Sequence, residues 1–465
     1  MIARCLAVLL FLAPGVARAA TALDLHPYEF QTFGPEHASA ELGTLRVPER
    51  HADPNGPAVT LAFVRFRSTS PHPGVPLIYL GGGIGDGITA ARTIRFRFLA
   101  RLLANGDVVV VDQRGSGLSR PSLACGDPYD MPLDRAGTQA AMLAAFERAA
   151  SACVARLRGA GVDLGAYNVD ESADDIESLR AALGAKQVDL LGISYGTTLA
   201  LDVIKRHSSG IRSVVLAGVE GLDDTYKVPH QLDVALERLG PPGVTALFAT
   251  ALARLQKQPQ SANAVDPKTG AGTAVTVGPF DLQFEAAYTA GDRYAMLRLP
   301  AQLRAIAKGD VGGLARFARG LRTGGLDSAL RLTLDCASGA SSGRASAIRS
   351  EQSALLGDAV NFPFPQACAM IGDPDLGPGF RSPVASTIPA LFISGTIDGR
   401  TPPENADRVA AGFARAGRLI IDGAGHGDDL FSSSPRIVEV VLSFLAGGRV
   451  DDETIALPAP SFPSD

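Results

Sequence analysis

The chain has 465 residues, among them 51 glycines and 31 prolines, and its 43 basic and 48 acidic side chains leave a net charge of −5. An apolar fraction of 46% is that of a globular protein. It is too high for a disordered chain, and there is neither a Gly-X-Y period nor the basic excess of a nucleic-acid binder.

Taken in chain order, the sequence begins with one positive charge at Arg4, an apolar run from Cys5 to Pro14, and the small-x-small site Ala17-Arg18-Ala19. This pattern predicts a cleaved signal peptide over residues 1–19, because the run falls well short of the roughly 20 residues of a spanning helix. No later apolar run is long enough to span, so the expectation is an exported protein, periplasmic or secreted, with no membrane span after cleavage. Removing the signal leaves Cys125, Cys153, Cys336 and Cys368. An even count in an exported protein suggests two disulfides. Three pairings are open, and proximity along the chain favours Cys125–Cys153 and Cys336–Cys368. With no C-x-x-C and no clustered His, no metal site is expected.

Leu45–Val47 and Val59–Val64 read as two strands around a turn-rich segment over 51–56. Short continuous apolar runs follow: Leu77–Leu80, Val108–Val111, Val188–Leu191, Ile211–Ala217, Ala390–Ile393 and Leu419–Ile421. Such runs suit parallel strands buried on both faces. Helices are expected between them. One opens at Ser172 as N-cap, with Asp174 and Asp175 in its first turn, and ends at Gly184. Others cover Thr197–Arg206 and Ile437–Leu445. Alternating strands and helices mean an α/β fold with a parallel sheet. Residues 218–388 break the rhythm with helical pieces such as Gln302–Ala307 and Leu314–Leu321, and read as an inserted helical cap. The core is then divided into 20–217 and 389–465. The cap's charges nearly balance, which predicts no steering of strongly charged substrates. The tail after Gly448 reads as irregular.

Several of the strands end in chemistry-bearing loops. Gly192-Ile193-Ser194-Tyr195-Gly196 is a G-x-S-x-G sequence between a strand and a helix, where a sharp turn lifts the serine oxygen over the sheet edge. Ser194 is the expected nucleophile. In this arrangement an acid and then a His follow the serine along the chain. His207 ends the helix after the serine and His230 lies at the start of the cap. His426, between Gly425 and Gly427, is therefore the expected base. Asp398 follows a strand and is the expected acid; Asp422, Asp428 and Asp429 lie too near His426 in sequence to serve better. An oxyanion hole needs two N–H groups. Tyr195 should give one, and the loop Gly81-Gly82-Gly83-Ile84-Gly85 the other. That loop matches the dinucleotide pattern only in its loose form starting at Gly85, too far past the strand, so no cofactor is expected. Asp112-Gln113-Arg114-Gly115 ends a further strand. Arg114 either braces the oxyanion loop or, the favoured reading, forms a buried structural ion pair.

These motifs together resemble the α/β-hydrolase family of proline iminopeptidases and, closer still, the secreted tripeptidyl aminopeptidases. The likeness rests on Gly82-Gly83-Ile84-Gly85, Asp112–Ser119, Gly192–Thr197, Gly395-Thr396-Ile397-Asp398 with Thr401-Pro402, and Gly425-His426-Gly427. It covers about residues 40 to 445. The resemblance implies an α/β-hydrolase fold: a mostly parallel eight-stranded sheet with a helical cap inserted before the acid-bearing strand. It also implies a serine exopeptidase that releases N-terminal residues or short peptides through an acyl-enzyme. Ser194, Asp398 and His426 would be the catalytic triad, with Gly83 and Tyr195 as oxyanion donors. Ile84 stands where the family has Pro, and cysteines common near the C-terminus of longer relatives are absent. An exopeptidase must also pair the substrate's amine with carboxylates; Glu220 is one candidate, Asp223 and Asp224 are others. The alternative expectation is a serine esterase or lactonase acting on small esters with the same triad. The expected partner is a peptide or small ester, with no nucleic acid.

Overall fold

The computed structural model describes residues 23–83, 85–239, 243–351, 353, 355–372, 374–449, 451–459 and 462. The expected signal peptide over 1–19, and Ile84, lie outside the described residues. The first strands are β1 (Leu23–Gln31), β2 (His37–Pro48), β3 (Ala58–Phe66), β4 (Leu77–Leu80) and β5 (Val108–Asp112). Next come β6 (Ala124–Pro128), β7 (Val188–Ser194), β8 (Ile211–Val219), β9 (Gln260–Val265), β10 (Gly272–Val277) and β11 (Gly325–Ser328). The last are β12 (Ala390–Gly395), β13 (Ala416–Asp422) and β14 (Glu453–Ala456).

Ten of these form one sheet in the order β1-β2-β3-β5-β4-β7-β8-β12-β13-β14. The strands from β5 to β14 pair in parallel, while β1, β2 and β3 are antiparallel. The sheet thus has two strands more than the resemblance implies, one at each edge. β14 also places a strand in the tail that reads as irregular. The continuous apolar runs do what their pattern requires. Ile78, Leu80, Val109, Val111, Leu190 and Leu216 face one core, while Tyr79, Val108, Val110, Leu191, Val215 and Ile393 face the other. Helices Val169–Ala182 and Tyr195–His207 cover the first face through Ile176, Leu179, Leu199 and Val203; Arg95–Leu102 and Pro435–Leu445 cover the second through Phe98, Leu99, Val438 and Val441.

The helix expected to open at Ser172 starts a turn earlier. Asn168 is its N-cap and accepts the Glu171 N–H, and Ser172 lies inside it, its hydroxyl donating to the Asn168 carbonyl. Between β8 and β12 the chain builds its own apolar cluster around Leu236, Phe248, Leu255, Leu282, Leu303 and Leu314. The segment is less purely helical than its sequence suggests. β9 and β10 form a hairpin, and β11 pairs with β6, tying the segment to residues 124–128. The disulfides join Cys125 to Cys153 and Cys336 to Cys368, the pairing that proximity favours. No helix among the described residues is long and apolar enough to cross a membrane.

Two buried charges reveal opposite energetics. Arg114 is fully buried, its Nε and Nη2 donating to both Asp175 oxygens at 2.7 and 2.6 Å and its Nη1 to the carbonyls of Glu49 and Ala166. It is a satisfied structural ion pair, and the glycine loop after β4 is braced by its neighbours instead. Asp202, on the helix Tyr195–His207, is 2% exposed, and its Oδ2 has no hydrogen-bond partner among the described residues. Burial, then the charge of Asp170, pushes its pKa up to about 7. A carboxyl raised in the folded state binds its proton more tightly there than in the unfolded chain. Its stabilising effect is therefore full in acid and is lost as pH rises toward and through 7. Asp202→Asn is expected to raise the Tm by roughly 2–5 °C at pH 8 and by much less at pH 5. Thermal melts at the two pH values check this; equal shifts at both would refute it.

Candidate active site

β7 runs straight into the helix Tyr195–His207, and Ser194 sits at the junction with φ 54° and ψ −127°. Apart from Asp130, it is the one non-glycine residue at positive φ among the described residues. Such a conformation costs of order 1–3 kcal/mol and persists only where its surroundings enforce it. Two features hold it. Gly196 lies so near β4 that a Cβ there would strike the Leu80 carbonyl oxygen. The Thr197 hydroxyl donates to the Ser194 carbonyl at 2.6 Å and accepts the Glu220 N–H at 2.8 Å, latching the turn to the end of β8.

Asp398 and His426 are brought together. His426 Nδ1 lies 2.7 Å from Asp398 Oδ2, and Asp398 is fully buried. The Thr401 hydroxyl donates to the same oxygen at 2.8 Å and stands 3.1 Å from His426 Nδ1, while the N–H groups of Arg400 and Thr401 donate to Oδ1 at 2.8 and 2.9 Å. Burial alone would push the Asp398 carboxyl up, but the charge of His426 and these donors hold it below the ordinary aspartate value. The His426 N–H donates to the Gly291 carbonyl at 2.8 Å. Gly218, next to the Val219 that pairs with Ser194 across the sheet, has φ +57°, and a Cβ on it would lie 2.9 Å from His426 Cε1. The ring thus stands over the end of β8, beside the strand that ends at Ser194. The rival acids are occupied elsewhere: Asp422 accepts from Thr396, Asp428 pairs with Arg95, and Asp429 accepts the Gly425 N–H.

The glycine loop after β4 packs on the serine turn, since a Cβ on Gly82 would lie 3.0 Å from Ser194 Cβ. Gly83, at φ +65°, lines a cavity of about 810 Å³. Tyr195 is the first residue of the helix, so its N–H is among those free at the helix start. The loop is braced from β5: Gln113 N–H donates to the Gly85 carbonyl at 3.0 Å, and Asp112 accepts the Ile88 and Leu118 N–H groups. Burial pushes Asp112 up to about 6.

Phe284, Tyr288, Phe317 and Phe362 line the cavity wall contributed by residues 279–364. Glu220 does not line it: its carboxylate is paired with Lys227 Nζ at 2.5 Å. Asp223 accepts from the Ser341 N–H and hydroxyl, and Asp224 pairs with Arg344 and Arg408. The carboxylates that do line the cavity, Asp86 and Asp327, form no ion pair among the described residues. Sequence reading missed them because nothing in their local pattern marks them. It also gave no role to Thr197 and Thr401, which lie inside the quoted motifs, or to Gly218, which no motif marks.

Residues 75–430 match the family described as alpha/beta hydrolase fold. YuaR of Escherichia coli (strain K12) is 33% identical over 204 residues, 41% of this chain and 39% of YuaR. The serine protease Hip1 of Mycobacterium tuberculosis (strain ATCC 25618 / H37Rv) is 30% identical, over 38% of this chain and 36% of Hip1. The tripeptidyl aminopeptidase of Streptomyces coelicolor is 32% identical, over 34% of this chain and 31% of that enzyme. The matched stretch thus spans less than two fifths of each relative's length. With a match over residues 75–430 and a large, mostly parallel sheet flanked by helices, the chain belongs to the α/β-hydrolase family.

Proposed function

We propose that the chain is an exported serine hydrolase that works through an acyl-enzyme on Ser194, and that its substrates are peptides cleaved near a free N-terminus. The observation that carries the first part is Ser194 held at positive φ beside the buried Asp398–His426 pair. Ser194 Oγ attacks the substrate carbonyl as His426 Nε2 takes its proton. The carbonyl oxygen becomes an oxyanion held by the N–H groups of Gly83 and Tyr195. His426 then returns the proton to the leaving amine or alcohol, and the acyl-enzyme forms. A water, deprotonated by the same imidazole, releases the acid and restores Ser194. Asp398 keeps the ring oriented and stabilises its cationic form.

The peptidase reading is supported by the resemblance and by relatives named as a serine protease and a tripeptidyl aminopeptidase. Within the cavity, Asp86 and Asp327 are better placed than Glu220 to receive a substrate ammonium, since neither already holds a cation. Residues 218–388 act as the cap over the site. Two disulfides are in keeping with an exported protein. The aromatic wall of the cavity favours a second reading, a serine esterase or lactonase for small apolar esters.

Aminoacyl and tripeptidyl chromogenic amides set against short p-nitrophenyl esters separate the two, with Ser194→Ala as control. Amide cleavage that needs a free N-terminus supports the aminopeptidase; Ser194-dependent cleavage of esters alone overturns it.

Gly218→Ala tests the placement of His426. The new methyl would press on the imidazole and on Thr401 Oγ1, and it would be strained at φ +57° besides. Displacement of a base by about 1 Å costs on the order of 10²-fold in rate. The expected result is a kcat lowered by about that factor with KM little changed. An unchanged kcat would refute the close packing of Gly218 on His426.

A further inference from the structure

The cavity that reaches the proposed site through Gly83, and whose lining does not include Ser194 or His426, carries positive charge that the proposed hydrolase chemistry does not use. Arg331, from the helix Leu330–Ser338, and Arg400, two residues past Asp398, line the same cavity as Gly83. Arg331 reaches Asp335 by a single contact, Nε to Oδ2 at 3.3 Å, and its side chain remains 54% exposed within the cavity. The Arg400 guanidinium makes no hydrogen bond or ion pair among the described residues. Burial, then the nearby charge of Arg331, pushes its pKa down, and the carboxylates of Glu220 and Asp398 offset this only in part. Folding two guanidiniums against one cavity, with one of them unpartnered, is unfavourable unless an anion completes the set. A guanidinium fork matches a carboxylate in a bidentate way. A phosphate dianion fits less well, because Asp86 and Asp327 share the cavity and would repel the second charge.

We propose that Arg331 and Arg400 form a carboxylate-binding subsite, so that the preferred substrates of the Ser194 reaction carry a carboxylate. This rests on the serine-hydrolase reading. In a peptide that carboxylate is an acidic side chain or a free C-terminus; in an ester it is the far end of a dicarboxylic acyl group.

Matched pairs distinguish these sources: Glu- against Gln-containing peptidyl p-nitroanilides, short peptides with free against amidated C-termini, and mono-p-nitrophenyl glutarate against its carbamoyl counterpart. At least one pair is expected to show kcat/KM about ten- to a hundredfold higher for the charged member. Arg400→Met should bring that ratio near unity, and Arg400→Lys should keep part of it. A merely structural role would slow both members alike and leave the ratio intact. That result, or the absence of preference in every pair, overturns the proposal while leaving the hydrolase reading standing. If nothing is hydrolysed, the hydrolase reading fails, and calorimetry with glutarate against glutaramide decides the subsite. Glutarate binding selectively to Ser194→Ala, and not to Ser194→Ala/Arg400→Met, supports it; equal or absent binding overturns it.

Discussion

Ser194→Ala is expected to lower kcat by about 10⁵–10⁶ while leaving substrate affinity and folding nearly as they are. The substitution removes only Oγ. The Cβ stays, so the cost of φ 54° stays, and the latch through Thr197 binds the Ser194 carbonyl, which alanine also has. The turn, the Gly83 and Tyr195 N–H groups and the cavity should therefore persist. What the proposed mechanism loses is the acyl-enzyme route as a whole, and the remaining rate reflects positioning of water by the proposed oxyanion donors and by His426. Single-turnover kinetics on a p-nitrophenyl ester, with a thermal melt on the same sample, check the prediction. A kcat within about a hundredfold of the parent, in a protein whose Tm has not moved, would mean that the serine is not the nucleophile.

The parts of the fold that were legible are those in which burial dictates composition. β4, β5, β7, β8 and β12 are covered on both faces, so each must be mainly apolar, and each reads so; the polar residues inside β7 and β8, Asp189 with Arg212 and Ser213, satisfy one another. The serine turn was legible because its geometry demands glycines at fixed spacing around Ser194. Edge strands impose no such demand. β1 mixes His26, Pro27 and Glu29 with apolar residues and is mostly exposed; its pairing with β2 makes it a strand. β14 is four residues, two half-buried and two exposed, positioned by β13. At the helix Val169–Ala182 two capping residues compete within one turn, and Asn168 wins because Ser172 can turn its hydroxyl back to the Asn168 carbonyl. The site divides along the same line. Ser194 lies at a strand–helix junction and Asp398 and His426 in loops, each with its own local signature. The environment of Asp398, the gap at Gly218 that admits His426, and the meeting of Arg331 with Arg400 arise only when distant segments pack. Glu220 shows the converse: a carboxylate attractive in sequence is bound to Lys227, seven residues on, because the chain turns back between them.

Asp398→Asn is expected to lower kcat by about 10³–10⁴ with little change in KM or stability, and the hydrogen bonds around Asp398 say why the isosteric change should do so much. Oδ1 accepts two backbone N–H groups, from Arg400 and Thr401. In the asparagine variant that position must be taken by the amide oxygen, since an NH₂ there would face two donors. The NH₂ then replaces Oδ2. Its two hydrogens point at His426 Nδ1 and Thr401 Oγ1, both of which can accept them. The amide is fully satisfied, so the fold has no reason to reject it. His426, however, must now carry its proton on Nε2, the nitrogen that in the proposed mechanism takes the proton from Ser194. The base is held in place in the wrong tautomer, and the positive charge it would acquire has lost its counter-ion. Asp398→Ala instead frees Nδ1 to keep its proton through water and should retain more activity than Asp398→Asn despite removing more atoms. Steady-state kinetics of the two variants at one pH, each with its thermal melt, give the comparison. If asparagine were the milder substitution, or cost less than about tenfold, the link from Asp398 through His426 to Ser194 would be wrong.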